Sequence, residues 1–103
     1  MEKYNIQIQS KDAENQCGII KIEGDLGISN IGNIKIDLLK AISNYNEIDL
    51  KVEKIKFIDL SMIQFLISLK KSESILNKKI QIDINAEDEF RELIISTGFK
   101  LKY

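Results

Sequence analysis

The sequence predicts an α/β fold in which a parallel or mixed sheet is covered by helices. Apolar residues alternate with polar ones in several short runs, whereas other runs have helical spacing, and the two kinds of run follow one another along the chain. Strands that alternate with helices in this way form sheets with right-handed crossovers. With 103 residues, the chain has the length of a single domain, residues 1–103.

The first quarter of the chain predicts two strands that form a hairpin. Alternation from Tyr4 to Ile8 indicates a half-buried strand, and it resumes at Ile20 and Ile22. The stretch between them, residues 10–16, is polar and turn-like.

A first helix is predicted after the glycines Gly24 and Gly27. Ser29 or Asn30 can cap its start, because both side chains accept hydrogen bonds from free backbone N–H groups. The apolar residues at helical spacing are Ile31, Ile34, Leu38 and Ile42, with Leu39 widening the stripe. We expect this helix to end near residues 44–46.

The second half of the chain predicts two more strands and two more helices. In order, they are a strand at residues 48–52, a polar break at 53–54 with more apolar residues behind it, a helix from 59 to about 76, a strand at 80–84, and a helix that opens at 86–89 and stops at Gly98. The complete order is strand, strand, helix, strand, helix, strand, helix.

Composition excludes several classes of function. The net charge of −1 supplies no positive field for nucleic acid, so we expect no DNA or RNA partner. One cysteine, Cys17, and no histidine exclude disulfides, the usual zinc sites and His-dependent catalysis. Much of ordinary enzyme chemistry is thereby excluded, and we expect no metal site and no cofactor.

Hydropathy predicts a cytoplasmic protein without direct membrane insertion. No apolar run approaches the roughly 20 residues that a membrane span requires. The start, MEKYNIQIQS, lacks the apolar region of a secretory signal.

The stretch FIDLS, residues 57–61, marks a junction between a predicted strand and a predicted helix. Functional surfaces of α/β folds tend to lie where strands end and helices begin. Asp59 can act as a helix N-cap worth about 1 kcal/mol, and Ser61 would then lie in the first turn as a solvated hydroxyl. Spacing alone leaves both the capping role and a functional role open.

Nearly the whole chain resembles a STAS domain, the family of bacterial anti-sigma factor antagonists. The resemblance rests on IIKIEGDLGIS, IDLKVEKIKFIDLSMIQFL and IQIDINAEDEFRELIISTGF. The turn at residues 24–27 stands where the family has a Gly-Glu-Leu-Asp-like turn, and FIDLSM stands where it has a Phe-hydrophobic-Asp-Ser-Ser-Gly-like junction.

The resemblance implies a STAS-like mixed sheet of about four to five strands with helices packed mainly on one face. It also implies a protein that acts by binding rather than by turnover. In the family's best-known form, a kinase-like anti-sigma factor phosphorylates the hydroxyl residue directly after the junction Asp, and the phosphate breaks partner binding. A phosphate adds about −1.5 to −2 charges, which is enough to disrupt a packed interface beside a carboxylate.

This sequence departs from the family pattern at the phosphorylated position. Leu60 stands where the acceptor hydroxyl is expected, Ser61 stands at the second Ser, and Met62 replaces the Gly. Gly27 also replaces the acid that closes the first turn, and Lys51 stands where many members have an acid. Leucine cannot accept phosphate, and the other departures also argue against phosphotransfer.

The leading hypothesis is a non-catalytic binding module for signal transduction and transcription regulation in the bacterial cytoplasm. Its expected partner is a kinase-like anti-sigma factor or another signalling protein. We expect at least one of Met62 and Phe65 to be solvent-accessible, because Met and aromatic residues are enriched at interfaces. The predicted partner interface is Asp25, Leu26, Ser29, Asp59, Leu60, Ser61, Met62, Gln64 and Phe65.

Three alternatives stay open at the level of sequence. Ser61 could be an atypical phosphoacceptor, which would make the chain a phosphorylation-controlled switch, although a shift of one residue turns a helical side chain by about 100°. The pattern around Gln64 is also similar to STAS adaptors of chemotaxis kinases or of lipid-transport ABC systems. A nucleotide or small-molecule sensor is the third alternative, but the chain has no P-loop glycine pattern.

Overall fold

The computed structural model describes residues 3–12, 14 and 16–100, so that positions 13 and 15 of the predicted turn lie outside the described residues. The elements are β1 (Tyr4–Asp12), β2 (Cys17–Leu26), α1 (Ile31–Ser43), β3 (Glu47–Ile58), α2 (Leu60–Lys71), α3 (Glu73–Leu76), β4 (Lys79–Ile84) and α4 (Asp88–Ser96). Their order confirms the predicted one, except that the predicted second helix is divided into α2 and α3.

The four strands form one mixed sheet in the order β1-β2-β3-β4. β1 is antiparallel to β2, whereas β2, β3 and β4 are parallel. Neighbours in register, such as Ile20, Leu50 and Ile82, are fully buried on the face that the helices cover. The opposite face has charged side chains such as Lys21 and Lys51. The predicted mixed sheet with helices on one face is confirmed.

Helix α1 covers the sheet with a narrower apolar stripe than predicted. Its buried residues are Ile34, Leu38, Ala41 and Ile42, which recur at helical spacing. Leu39 is about half exposed, so the prediction that it widens the stripe was wrong. It lies about 100° around the helix from Leu38 and is thereby turned away from the sheet.

The polar break predicted at residues 53–54 is a bulge within one continuous strand. Lys54 has a φ of +49°, and the register between β2 and β3 shifts from Ile22 opposite Val52 to Gly24 opposite Ile55. Extra residues in one strand of a pair re-aim the side chains that follow. Beyond this bulge β3 continues to Ile58, directly before the junction at Asp59.

The predicted helix from 59 to about 76 ends early, at Lys71. The hydroxyl of Ser72 donates to the carbonyl of Leu69 at 2.6 Å, and a separate short helix, α3, follows. Ile75, which lies on α3, is 85% exposed. None of the described helices is both long and apolar enough to span a membrane.

Candidate partner-binding site

Asp59 caps helix α2 at the end of β3. Its backbone is extended, with φ −128° and ψ −178°, and its Oδ1 accepts hydrogen bonds from the N–H groups of Ser61 at 3.2 Å and Met62 at 3.4 Å. Free N–H groups at a helix start need such partners. The predicted capping role of Asp59 is therefore confirmed.

The same carboxylate joins helix α2 to the loop that follows β2. Oδ2 of Asp59 accepts a hydrogen bond from the backbone N–H of Ile28 at 2.8 Å. The parallel strands β2 and β3 both terminate at the same end of the sheet. This hydrogen bond joins the two segments that follow them. The loop at residues 24–30 therefore lies beside the start of α2.

The hydroxyl of Ser61 completes the bonding of Asp59. It donates to Oδ1 of Asp59 at 2.5 Å. Partial burial by itself would raise the pKa of Asp59, but the bonds from the Ser61 hydroxyl and from the N–H groups of Ile28, Met62 and Ser61 outweigh it and hold that pKa below its ordinary value. Asp59 is thus an ionised brace whose two oxygens are both engaged, rather than a free base.

The loop at residues 24–30 is held by bonds of its own. The Oδ1 of Asp25 accepts from the N–H of Gly27 at 3.0 Å, and the Nδ2 of Asn30 donates to the carbonyl of Asp25 at 2.9 Å. Gly24 has a φ of +105°, and a Cβ there would lie 2.4 Å from the carbonyl oxygen of Lys3. The loop is therefore held in one conformation by contacts within the chain.

Phe57 packs on the same loop. A Cβ on Gly27 would lie 2.7 Å from atoms of the Phe57 ring, so the ring rests directly against this glycine. The ring of Phe90 meets Phe57 edge to face at a centroid distance of 6.3 Å. Gly27, which departs from the family pattern, makes room for an aromatic ring at this position.

Three large apolar side chains are exposed around this brace, and we call them the junction patch: Ile28, Phe57 and Leu60. Ile28 is 75% exposed, and Phe57 and Leu60 are each 47% exposed. Sequence reasoning placed only Leu60 in the interface. Ile28 could have been found as an apolar residue inside a turn, and Phe57 as a position that strict alternation from Ile48, Leu50 and Val52 places on the outward face.

Two residues of the predicted interface have no exposed surface. Leu26 and Met62 are fully buried, and Phe65 is only 9% exposed, with the Nζ of Lys35 lying 5.7 Å from its ring centroid. The prediction that Met62 or Phe65 is solvent-accessible was therefore wrong. Both residues lie on the inward stripe of α2, whose buried residues are Met62, Ile63, Phe65, Leu66 and Leu69.

The other predicted interface residues remain at the surface. Ser29 and Gln64 are exposed, and Asp25, Asp59 and Ser61 are half-buried. Asp25 and Asp59 use carboxylate oxygens to hold the loop and the helix start. These two acids therefore position the junction patch.

The thiol of Cys17 lies away from the junction patch. Cys17 begins β2 at the opposite end of the sheet, and its thiol donates to Oε2 of Glu47 at 3.4 Å. Partial burial and the Glu47 carboxylate raise the pKa of this thiol. The part of the chain that the structure describes has no group of three or more His, Cys, Asp or Glu side chains placed to hold a metal ion.

Searches by sequence and by structure gave different results. No model of a protein family matches the chain, and no curated protein matches it. The unphosphorylated form of the anti-sigma factor antagonist SpoIIAA superimposes with a TM-score of 0.67 and 17% identity, over 91% of this chain and 81% of that one. The phosphorylated form of the Bacillus cell fate determinant SpoIIAA gives a TM-score of 0.62 and 17% identity, over 91% and 84%.

The superposition tests the resemblance that the sequence motifs indicated. It covers 91% of this chain, and the described part of the chain has the mixed four-strand sheet with its helices. The chain therefore has the fold of the anti-sigma factor antagonist SpoIIAA, which is the STAS fold.

Proposed function

We propose that this chain is a non-catalytic protein-binding module that regulates a cytoplasmic signalling protein through the junction patch. The observation that supports this most directly is the exposure of Ile28, Phe57 and Leu60 on two segments that Asp59 fixes together. SpoIIAA, which shares the fold, is an anti-sigma factor antagonist. The proposed partner is accordingly a kinase-like anti-sigma factor or a related regulator.

The physical character of the patch suits a protein partner. The buried centre of an interface is apolar and enriched in aromatic residues, and its surroundings are polar. Ser29 and Gln64 are exposed polar residues in the same two segments. Because the loop and the helix start are already bonded to each other, little conformational freedom is lost when a partner binds.

The identity of residue 60 bears on whether phosphorylation could regulate such binding. SpoIIAA has been described in phosphorylated and unphosphorylated forms. By the resemblance of the junction motifs, Leu60 occupies the position of the phosphorylated hydroxyl, and it has no group that accepts phosphate. An exposed leucine adds apolar contact area at that position. Binding through the patch is therefore constitutive in this chain, with no switch at residue 60.

A phosphorylation switch at Ser61 is the second candidate function. Its hydroxyl is half-buried and donates to Asp59 at 2.5 Å. A phosphate there would place a dianion against the carboxylate that fixes Ile28, and like charges at this distance would break the brace. Phosphorylation would thus act on the order of the patch rather than directly on its surface.

Site-specific crosslinking tests the proposal. A photoreactive phenylalanine analogue at position 28 or 60 should crosslink one protein in the native host, whereas the same analogue at position 75 should not. Ile75 is a matched control, because it is an exposed isoleucine on α3, away from the junction. Mass spectrometry then identifies the captured protein.

Affinity measurements with that purified protein give the decisive comparison. Leu60→Asp and Ile28→Asp should each weaken binding at least about tenfold, which is 1.4 kcal/mol, because truncation or charge at the centre of an interface has large effects. Ile75→Asp should leave affinity within about twofold. Equal weakening by all three variants would contradict the proposal, and stoichiometric phosphate on Ser61 in host-derived protein would favour the second candidate.

A further inference from the structure

Strand β1 forms one edge of the sheet. Among the described residues it pairs with β2 alone. The N–H of Asp25 donates to the carbonyl of Lys3 at 3.1 Å, and in an antiparallel pair such bonds are made by every second residue. The alternation then directs the backbone N–H and C=O groups of Tyr4, Ile6, Ile8 and Ser10 away from β2.

The first seven residues of this edge lack the features that usually prevent strands from pairing with other chains. The stretch YNIQIQS, residues 4–10, contains no charged residue and no proline, and its register is regular until the irregularity between Ser10 and Asp12. Natural edge strands are usually protected by lysines, prolines, bulges or a covering element. A regular, uncharged edge of seven residues is therefore a surface available for pairing.

The other edge of the same sheet is protected. On β4, the carbonyl of Ile80 accepts from the Nζ of Lys70 at 2.7 Å, and the N–H of Ile80 donates to Oε2 of Glu73 at 2.8 Å. The two side chains also form an ion pair at 3.1 Å. Charged residues Lys79 and Asp83 lie on the strand itself. The contrast between the edges makes β1 the one suited to pairing.

We infer that β1 pairs antiparallel with β1 of a second copy of this chain, which extends the sheet across a two-fold axis. The sequence of the strand is self-complementary in one register. With Gln7 opposite Gln7 of the second copy, Ile6 lies opposite Ile8, Asn5 opposite Gln9, and Tyr4 opposite Ser10. Apolar residues meet apolar ones and amides meet amides, as favourable cross-strand pairs require.

This register also agrees with the free backbone groups. Ile6 and Ile8, which direct their N–H and C=O groups outward, become a pair that exchanges both hydrogen bonds. Ile8 is 51% exposed beside α1, and pairing would remove part of this apolar surface from water.

Side-chain bonds hold β1 in place for such pairing. The hydroxyl of Tyr4 donates to Oδ2 of Asp37 at 2.6 Å, and the hydroxyls of Ser10 and Tyr45 are 2.9 Å apart. Both ends of the regular stretch are thereby anchored to α1 and to the segment after it. The junction patch lies at the ends of β2 and β3, on Phe57 of β3 and on the segments that follow the two strands, so that a dimer formed through β1 leaves it free.

Sedimentation equilibrium of the intact chain tests the inference. Gln7→Lys places two lysines opposite each other at the two-fold axis and should weaken dimerisation at least about tenfold. Gln81→Lys is the matched control, because Gln81 is an exposed glutamine on the protected strand β4, and it should leave the dissociation constant unchanged. Circular dichroism should show that both variants fold like the natural chain.

A charge-pairing experiment separates this geometry from any other dimer. Gln7→Glu alone should also weaken association, whereas an equimolar mixture of Gln7→Lys and Gln7→Glu should restore it as a heterodimer. A natural chain that is monomeric at about 500 μM would overturn the inference, since mass action would have populated any dimer of useful affinity. A dimer that is equally sensitive to both lysine variants, or that the mixture does not restore, would overturn it as well.

Discussion

The N–H of Ile28 donates to the Asp59 carboxylate at 2.8 Å, so the loop after β2 and the start of α2 are held by one side chain. The other oxygen of this carboxylate caps α2. The junction patch therefore has its geometry before a partner is present. Asp59 holds the two segments together, and Ile28 and Leu60 supply exposed apolar surface on them.

Replacement of Asp59 should destabilise the whole domain. Asp59→Ala removes the cap of α2 and leaves the N–H of Ile28 without its acceptor, so we expect a loss of about 2 kcal/mol in the free energy of unfolding. Asp88→Ala is a suitable control, because Asp88 is an exposed acid in the first turn of α4 and should cost no more than about 0.5 kcal/mol. Urea denaturation measures both, and an equal loss in the two variants would contradict the bracing role.

The contribution of Asp59 should depend on pH in a defined direction. Its pKa is lowered in the folded chain, whereas the unfolded value is about 3.9. The stabilisation is therefore fully present above the unfolded pKa and is lost as the pH falls through the folded one. The difference in unfolding free energy between the natural chain and Asp59→Asn should stay constant from about pH 7 to pH 5 and narrow below about pH 4. A gap that widens in acid would show that the carboxylate is not held in its ionised form.

Two glycines should respond oppositely to the same substitution. Gly27→Ala places a methyl group against the Phe57 ring and should destabilise the chain by about 1–3 kcal/mol. A Cβ at Gly32 would have no other atom within 4 Å, and the residue lies in helix α1. Gly32→Ala should therefore stabilise the folded chain by about 0.5–1 kcal/mol. Thermal unfolding distinguishes the signs. In the double variant Gly27→Ala/Phe57→Ala the two effects should not add, because the clash is gone.

The order of elements and the Asp59 cap were predictable because they depend on local patterns, whereas the mixed sheet was implied by the family resemblance. Alternation, helical spacing and an acid before a helix are properties of neighbouring residues. The early end of α2 was missed because side-chain bonds override such patterns there. The Ser72 hydroxyl donates to the carbonyl of Leu69, and Glu73 accepts from the N–H of Ile80 on β4, although the apolar spacing continues.

The candidate site stays a prediction, and the exposure of its side chains was predicted only in part. The resemblance and the strand order located it at the ends of β2 and β3, where the structure has the brace. Which side chains are exposed there depends on the bulged end of β3, where two register shifts leave Ile55 and Ile58 buried, and on the inward stripe of α2, which buries Met62. Neither the bulge nor the depth of packing can be derived from residue spacing alone.

Removal of the Ser61 hydroxyl should raise the pKa of Asp59 toward its ordinary value. The hydroxyl donates to Oδ1 at 2.5 Å and favours the ionised carboxylate, so Ser61→Ala removes a source of the lowered pKa. Ser68→Ala is the control on the same helix, because the Ser68 hydroxyl donates to the carbonyl of Phe65 and has no part in the brace. A carboxyl NMR titration of Asp59 should shift for the first variant and not for the second. If neither variant moves it, Ser61 is free of Asp59 in solution, and its hydroxyl would then be available as the acceptor of a phosphate.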